Sequence, residues 1–109
     1  MRLEDLRGRI AVITGASSGI GAAAARALAG ADMKVVLAAR RHARIAQLAA
    51  ELGDAALAVE TDVSDAAQVA ALFETVRARF GGLDLLFNNA GLSHENSWWA
   101  AAHVARGSA

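Results

Sequence analysis

Thr14 to Gly21 reads TGASSGIG, with glycines at 15, 19 and 21. It lies between a short apolar run and an alanine-rich one. A helix that starts at such a point exposes unpaired backbone N–H groups and the positive end of its dipole. A diphosphate can settle there if no Cβ blocks its approach. Gly15 then permits the tight turn off a strand, Gly19 lets the backbone approach the ligand, and Gly21 lets the helix pack close to the sheet. Ser17 and Ser18 add hydroxyl donors toward phosphate oxygens. Turn glycines without a ligand would look the same in isolation; their place between a buried strand and a helix favours dinucleotide binding.

The second chemical position is the end of the next apolar run. A carboxylate about 20 residues after the glycines would hold the ribose 2′-hydroxyl of NAD. This chain has Ala39 there, followed by Arg40 and Arg41. No acid repels a 2′-phosphate, and two guanidiniums can bind one. A hydrogen bond to a charged group contributes ~1.5–3 kcal/mol, a preference of roughly ten- to a hundred-fold. NADP(H) is therefore expected over NAD(H), with most of the effect from Arg40, unless the pair is only solvated surface. The third position is Asp62, in ETDVS. It reads equally as a loop acid or helix cap and as a carboxylate accepting from the exocyclic amine of adenine.

These positions need elements to hold them. The residues from Arg9 to Thr14 read as a short buried strand, and Lys34 to Ala39 as a second. A third is expected from Ala55 to Glu60, and a fourth from Leu83 to Phe87. Between them lie three helical patterns. Ile20 to Ala29 ends at Gly30. His42 to Leu52 carries Ile45, Leu48, Ala49 and Leu52 on one face. The third is capped by Ser64 or Asp65, runs to about Phe80, and carries Val69, Leu72, Phe73, Val76 and Phe80. Glycines 53 and 81 close the last two. Alternating strands and helices with apolar strands predict an α/β fold: a Rossmann-like, doubly wound parallel sheet. Right-handed crossovers give the order 3-2-1-4, an incomplete version of the fold with flanking helices. A short helix near Asn96 to Val104 is the most the ending suggests.

The bulk numbers set limits. The 109 residues amount to one domain of ordinary size. Hydrophobic residues make up 55%, but alanine supplies much of that, so the core is smaller than the figure implies. Eleven basic residues balance eleven acidic ones, which offers no nucleic-acid or membrane surface. Cysteine is absent, and with it disulfides and thiolate metal sites. The start, MRLEDLRGR, lacks the apolar segment of a signal peptide. A cytoplasmic protein is expected.

TGASSGIG, AARR, TDVS and NNAG occur in this order, each at the C-terminal end of a successive expected strand. Together they resemble the short-chain dehydrogenase/reductase family over about residues 5 to 91. The resemblance implies hydride transfer between a nicotinamide and a carbonyl or alcohol carbon. It implies that Ser17 and the backbone around Ile20 meet the diphosphate. Asp62 and the backbone of Val63 would hold the adenine. Asn88, Ala90 and Gly91 would line the ribose and nicotinamide end, with NNAG bracing the sheet against Thr14. A basic residue after strand two is the family's NADP(H) marker, in agreement with the charge reading of Arg40.

The departure concerns the acid and base. The family uses a tyrosine within Y-x-x-x-K, whose lysine lowers the tyrosine pKa toward working pH. This chain contains no tyrosine, and its only lysine, Lys34, opens strand two. Ser93, Ser97 and Asn96 follow the fourth strand too closely to serve as the family's catalytic serine and asparagine. His94 and His103 lack the spacing of a metal pair. The chain is thus expected to comprise an NADP(H)-binding half-domain, 1–91, and a divergent tail, 92–109, of the kind a frameshift or truncation leaves. On that basis it is expected to be inactive alone, either a non-catalytic dinucleotide-binding module or an inert fragment. Strand 83–87 is expected as an apolar sheet edge open to self-association.

Overall fold

The computed structural model describes residues 6–17 and 19–89. Four strands, β1 (Ile10–Thr14), β2 (Lys34–Ala39), β3 (Ala56–Glu60) and β4 (Leu85–Asn88), form one parallel sheet in the order β3-β2-β1-β4. Helices α1 (Gly19–Gly30), α2 (His42–Leu52) and α3 (Ala66–Phe80) connect them. This is the Rossmann-like order expected from the alternation. Among the described residues no helix is long and apolar enough to cross a membrane.

The central strands are apolar on both faces because both faces are covered. Ala11, Ile13, Val35 and Leu37 pack with Ala25, Ile45 and Leu48 of α1 and α2. Val12, Val36 and Ala38 point the other way and pack with Leu72 and Val76 of α3. Alternate residues of β1 and β2 thus enter separate cores. The sheet edges are less buried: β3 is half-buried, and Leu85 at the start of β4 is 40% exposed.

Several boundaries differ by a residue or two from the sequence reading, and three of them have a local reason. Gly30 does not stop α1 but belongs to it. The chain turns at Asp32, a non-glycine with φ 67°, whose carbonyl accepts from the Gly8 N–H at 2.9 Å. A 3-10 turn at Gly53–Ala55 delays β3 to Ala56. The fourth strand starts at Leu85, and Asp84 before it meets β1 through its N–H on the Ile10 carbonyl, at 2.8 Å, and through its side chain. Leu83 is buried in the α3-side core, and the Asp84 carboxylate accepts from the Ile10 N–H at 2.8 Å. Asp65, not Ser64, caps α3, accepting from the N–H groups of Ala67 and Gln68. The expected helix at 96–104 lies outside the described residues.

Candidate functional site

The C-terminal ends of β1, β2 and β3 converge on a cavity of about 480 Å³ lined by Gly15, Ser17, Ala39, Arg40, Arg41, Thr61 and Val63. It is the crevice in which doubly wound sheets bind ligands. Five of its lining residues, Gly15, Ser17, Arg40, Arg41 and Val63, are candidates from the sequence. Ala39 is the buried end of β2, and no carboxylate lines this cavity.

The turn after β1 is shaped around missing side chains. Gly15 adopts φ 66°, a conformation that costs other residues more. A Cβ on Gly19 would have no neighbour within 4 Å, so this first position of α1 leaves open space over the helix N-terminus. Gly21 is the opposite case. A Cβ there would run into the Gly15 carbonyl oxygen and lie 2.9 Å from Ala16 Cα and 3.0 Å from Asn89 Nδ2. Gly21 therefore lets α1 close on its own preceding turn. Ile20, the second residue of α1, is 69% exposed.

The turn is also strapped to β4. The buried Thr14 hydroxyl donates to Asn88 Oδ1 at 2.8 Å, and Asn89 Nδ2 donates to the Gly15 carbonyl at 3.2 Å. Asn88 thus braces β1, as the resemblance implied. Asn89 was not among the residues chosen from the sequence, although it stands in the same NNAG motif.

The loop after β3 is built by its own side chains. Buried Thr61 donates its N–H to the Ala39 carbonyl at 2.9 Å, tying the loop to the end of β2. Asp62 Oδ1 accepts from the Ser64 hydroxyl at 2.7 Å and from the Ser64 N–H at 3.0 Å. Those bonds, hydroxyl first, hold the Asp62 carboxyl below the ordinary aspartate range against partial desolvation, and the positive charge of Arg40 adds to them. Asp62 Oδ2 and the Val63 N–H have no partner among the described residues. They make an acceptor and a donor on adjacent residues, the pair that adenine N6–H and N1 require. Asp62 therefore does local structural work and still offers an oxygen.

A second cavity, of about 430 Å³, lies on the other side of Ser17 between α1 and α2. Arg26 and Glu51 pair at its rim, with 2.7 and 3.2 Å bonds, so each holds the other's charged form. Of the sequence candidates, Gly19, Ile20, Gly21, Asp62 and Asn88 do not line the first cavity. Ser18, Ala90 and Gly91 lie outside the described residues. Gln68, also not chosen from the sequence, donates to Asp65 and accepts from the Asp62 N–H. The Asp65-x-x-Gln68 spacing is that of a capping box, and could have revealed it.

Residues 9–104 match the model of the short chain dehydrogenase family. The chain is 48% identical over 94 residues to a farnesol dehydrogenase of Aedes aegypti, covering 83% of this chain and 38% of that protein. It is 45% identical over 92 residues to a galactitol 2-dehydrogenase of Agrobacterium fabrum, covering 84% and 35%. It therefore spans well under half the length of these curated relatives. A short chain dehydrogenase/reductase from Burkholderia phymatum, solved in complex with NAD, superposes with a TM-score of 0.71 at 42% identity, over 74% of this chain and 30% of that one. A 3-ketoacyl-(acyl-carrier-protein) reductase from Brucella melitensis, complexed with NADH, gives 0.72 at 36% identity, over 89% and 44%.

Proposed function

Because the chain belongs to the short chain dehydrogenase family, we propose that it is the dinucleotide-binding part of an oxidoreductase that uses NADP(H) in preference to NAD(H). The observation that carries the preference is the lining of the first cavity, where Arg40 and Arg41 follow Ala39 at the end of β2, a position without an acid, and share the cavity with Gly15 and Ser17, while Asp62 near Arg40 belongs to the loop after β3. A 2′-phosphate would meet two guanidiniums there, which present planar, fixed donors to phosphate oxygens. The bound nicotinamide supplies or accepts the hydride. The chain's own residues bind and orient. Ser17, Ser18 and the bare backbone at Gly19 and Ile20 receive the diphosphate at the α1 N-terminus. Asp62 Oδ2 and the Val63 N–H receive the adenine. Asn88, Ala90 and Gly91 line the nicotinamide end.

The proton donor for a carbonyl substrate comes from a group that these 109 residues, which include no tyrosine, do not supply. That composition also favours a second reading, a module that holds the dinucleotide and performs no chemistry. Neither reading expects this chain alone to consume NADPH with a panel of carbonyl compounds, and turnover there would overturn both the second reading and the assignment of the proton donor to a group outside these residues. Residues 1–91 are the binding unit in either reading. The exposed Leu85 on β4 supports self-association along that edge, and sedimentation against concentration tests it.

The test of the cofactor preference is a thermal-shift comparison of NADPH with NADH, repeated with Arg40→Asp. The parent is expected to be stabilised more by NADPH. The variant is expected to lose about ten- to a hundred-fold of its NADPH affinity, the worth of one charge-assisted hydrogen bond. An unchanged preference removes Arg40 from the site.

A further inference from the structure

Gln68 touches neither cavity, yet it holds the wall of the first. Its Oε1 accepts from the Asp62 N–H at 2.8 Å, and its Nε2 donates to Asp65 Oδ2 at 3.1 Å. Its own N–H donates to Asp65 Oδ1 at 3.3 Å. The loop is thus fixed at its start by Thr61 on the Ala39 carbonyl, at 2.9 Å, and along its length by Gln68 reaching back from the first turn of α3. Gln68 also takes up the Asp62 N–H. The loop donor left beside the Asp62 carboxylate is the Val63 N–H. Ser64 takes up Oδ1, which leaves Oδ2. Two side chains that do not line the cavity therefore decide which donor and which acceptor of the loop remain without a partner among the described residues.

We propose that Gln68 is a positioning residue for purine discrimination: it holds the Asp62–Val63 backbone so that one acceptor and one donor stand side by side for a 6-amino purine. The proposal rests on the dinucleotide reading of the site. A 6-oxo purine carries the reverse pair, a carbonyl at C6 and a proton on N1. It would set its oxygen against the Asp62 carboxylate and its N1–H against the Val63 N–H. A site built to pair with one polar edge rejects the reversed edge, because its own groups are then left unpaired.

The test titrates the full chain with NADPH and with its hypoxanthine counterpart, following reduced-nicotinamide fluorescence. The parent is expected to prefer the adenine form by about ten- to a hundred-fold. Asp62→Asn should remove most of that preference. Gln68→Ala should reduce it to less than a third of the parent's ratio, chiefly through weaker binding of NADPH. Gln68→Glu keeps an acceptor for the Asp62 N–H but sets its second oxygen against Asp65 Oδ2, so it should restore only part of the ratio. A role confined to helix stability would weaken both dinucleotides alike and leave the ratio unmoved. If Gln68→Ala keeps the parent's ratio while Asp62→Asn loses it, Gln68 does not position the loop. If the parent binds neither dinucleotide, or binds both equally, the adenine reading fails and takes the proposal with it. A cofactor-free check is amide exchange: the Asp62 N–H should exchange faster in Gln68→Ala, and an unchanged rate would overturn the clamp.

Discussion

The turn after β1 is shaped at the cavity by missing side chains, whereas the loop at 61–65, which lines the cavity through Thr61 and Val63, is held in place by side chains that bond one another. In the turn, Gly15 takes a positive φ, Gly19 leaves space open, and Gly21 permits a contact that any Cβ would prevent. In the loop, Asp62, Ser64, Asp65 and Gln68 are joined by hydrogen bonds between 2.7 and 3.3 Å. An anion is best met by N–H groups on a surface without side chains, since every added atom keeps it away. A nucleobase edge is met by a donor and an acceptor in fixed positions, and fixing them takes partners. The difference predicts that the turn responds to added atoms and the loop to removed ones.

The largest expected effect is an addition to the turn. Gly21→Ala puts a methyl group against the Gly15 carbonyl and Ala16 Cα, backbone atoms that cannot swing away. Overpacking of this kind costs about 1–3 kcal/mol. A melting temperature lowered by more than about 5 °C is expected, and an unchanged one would show that the turn yields easily. Next is a removal from the loop. Asp65→Ala deletes the cap that accepts from Ala67 and Gln68 and should cost about 1 kcal/mol in denaturant unfolding. Loss of a few tenths or less would show that water replaces the cap without penalty.

A smaller effect sharpens the electrostatic side of the comparison. Asp62 titrates below its ordinary value of 3.8 because Ser64 bonds its charged form. A carboxylate with a depressed folded pKa contributes stability that is full above the unfolded pKa and is lost as pH falls through the folded one. Ser64→Ala should move the Asp62 titration back up toward 3.8, as read by the carboxyl chemical shift against pH. A midpoint that stays put would assign the depression to the backbone N–H of residue 64 and to Arg40 instead. The smallest effect is expected at the rim of the second cavity. Arg26→Gln breaks an exposed ion pair with Glu51. Its effect on melting should be slight and fade further in salt, because exposed pairs are screened. A large, salt-resistant loss would mean that the pair clamps α1 to α2.

The sequence makes the regular parts of this molecule plain, because periodicity reports burial. Lys34–Ala39 and His42–Leu52 begin and end where the apolar pattern and the flanking glycine place them. The sheet order follows from alternation and handedness. What periodicity misses are residues whose neighbours are distant in sequence. Asp84 looks like the second residue of a strand until Ile10 supplies the N–H that it accepts. Gly30 looks like a helix stop until Gly8 meets the carbonyl of Asp32 and moves the turn two residues on. Asn89 holds Gly15 across 74 positions of chain. Gln68 differs, for its partners are three and six residues away and its capping-box spacing is local. It is overlooked only when a capping residue is read for the helix and not for the loop before it.

The central claim is that the space at Gly19 belongs to an anionic ligand and not to the protein. Gly19→Val tests it by titration with NADPH beside a melting curve without cofactor. A Cβ there meets nothing within 4 Å, so the free chain should melt within about 2 °C of the parent. Its affinity for NADPH should fall more than about ten-fold, because the side chain occupies the approach to the α1 N-terminus. A variant that keeps its fold and binds NADPH as tightly as the parent would contradict the account.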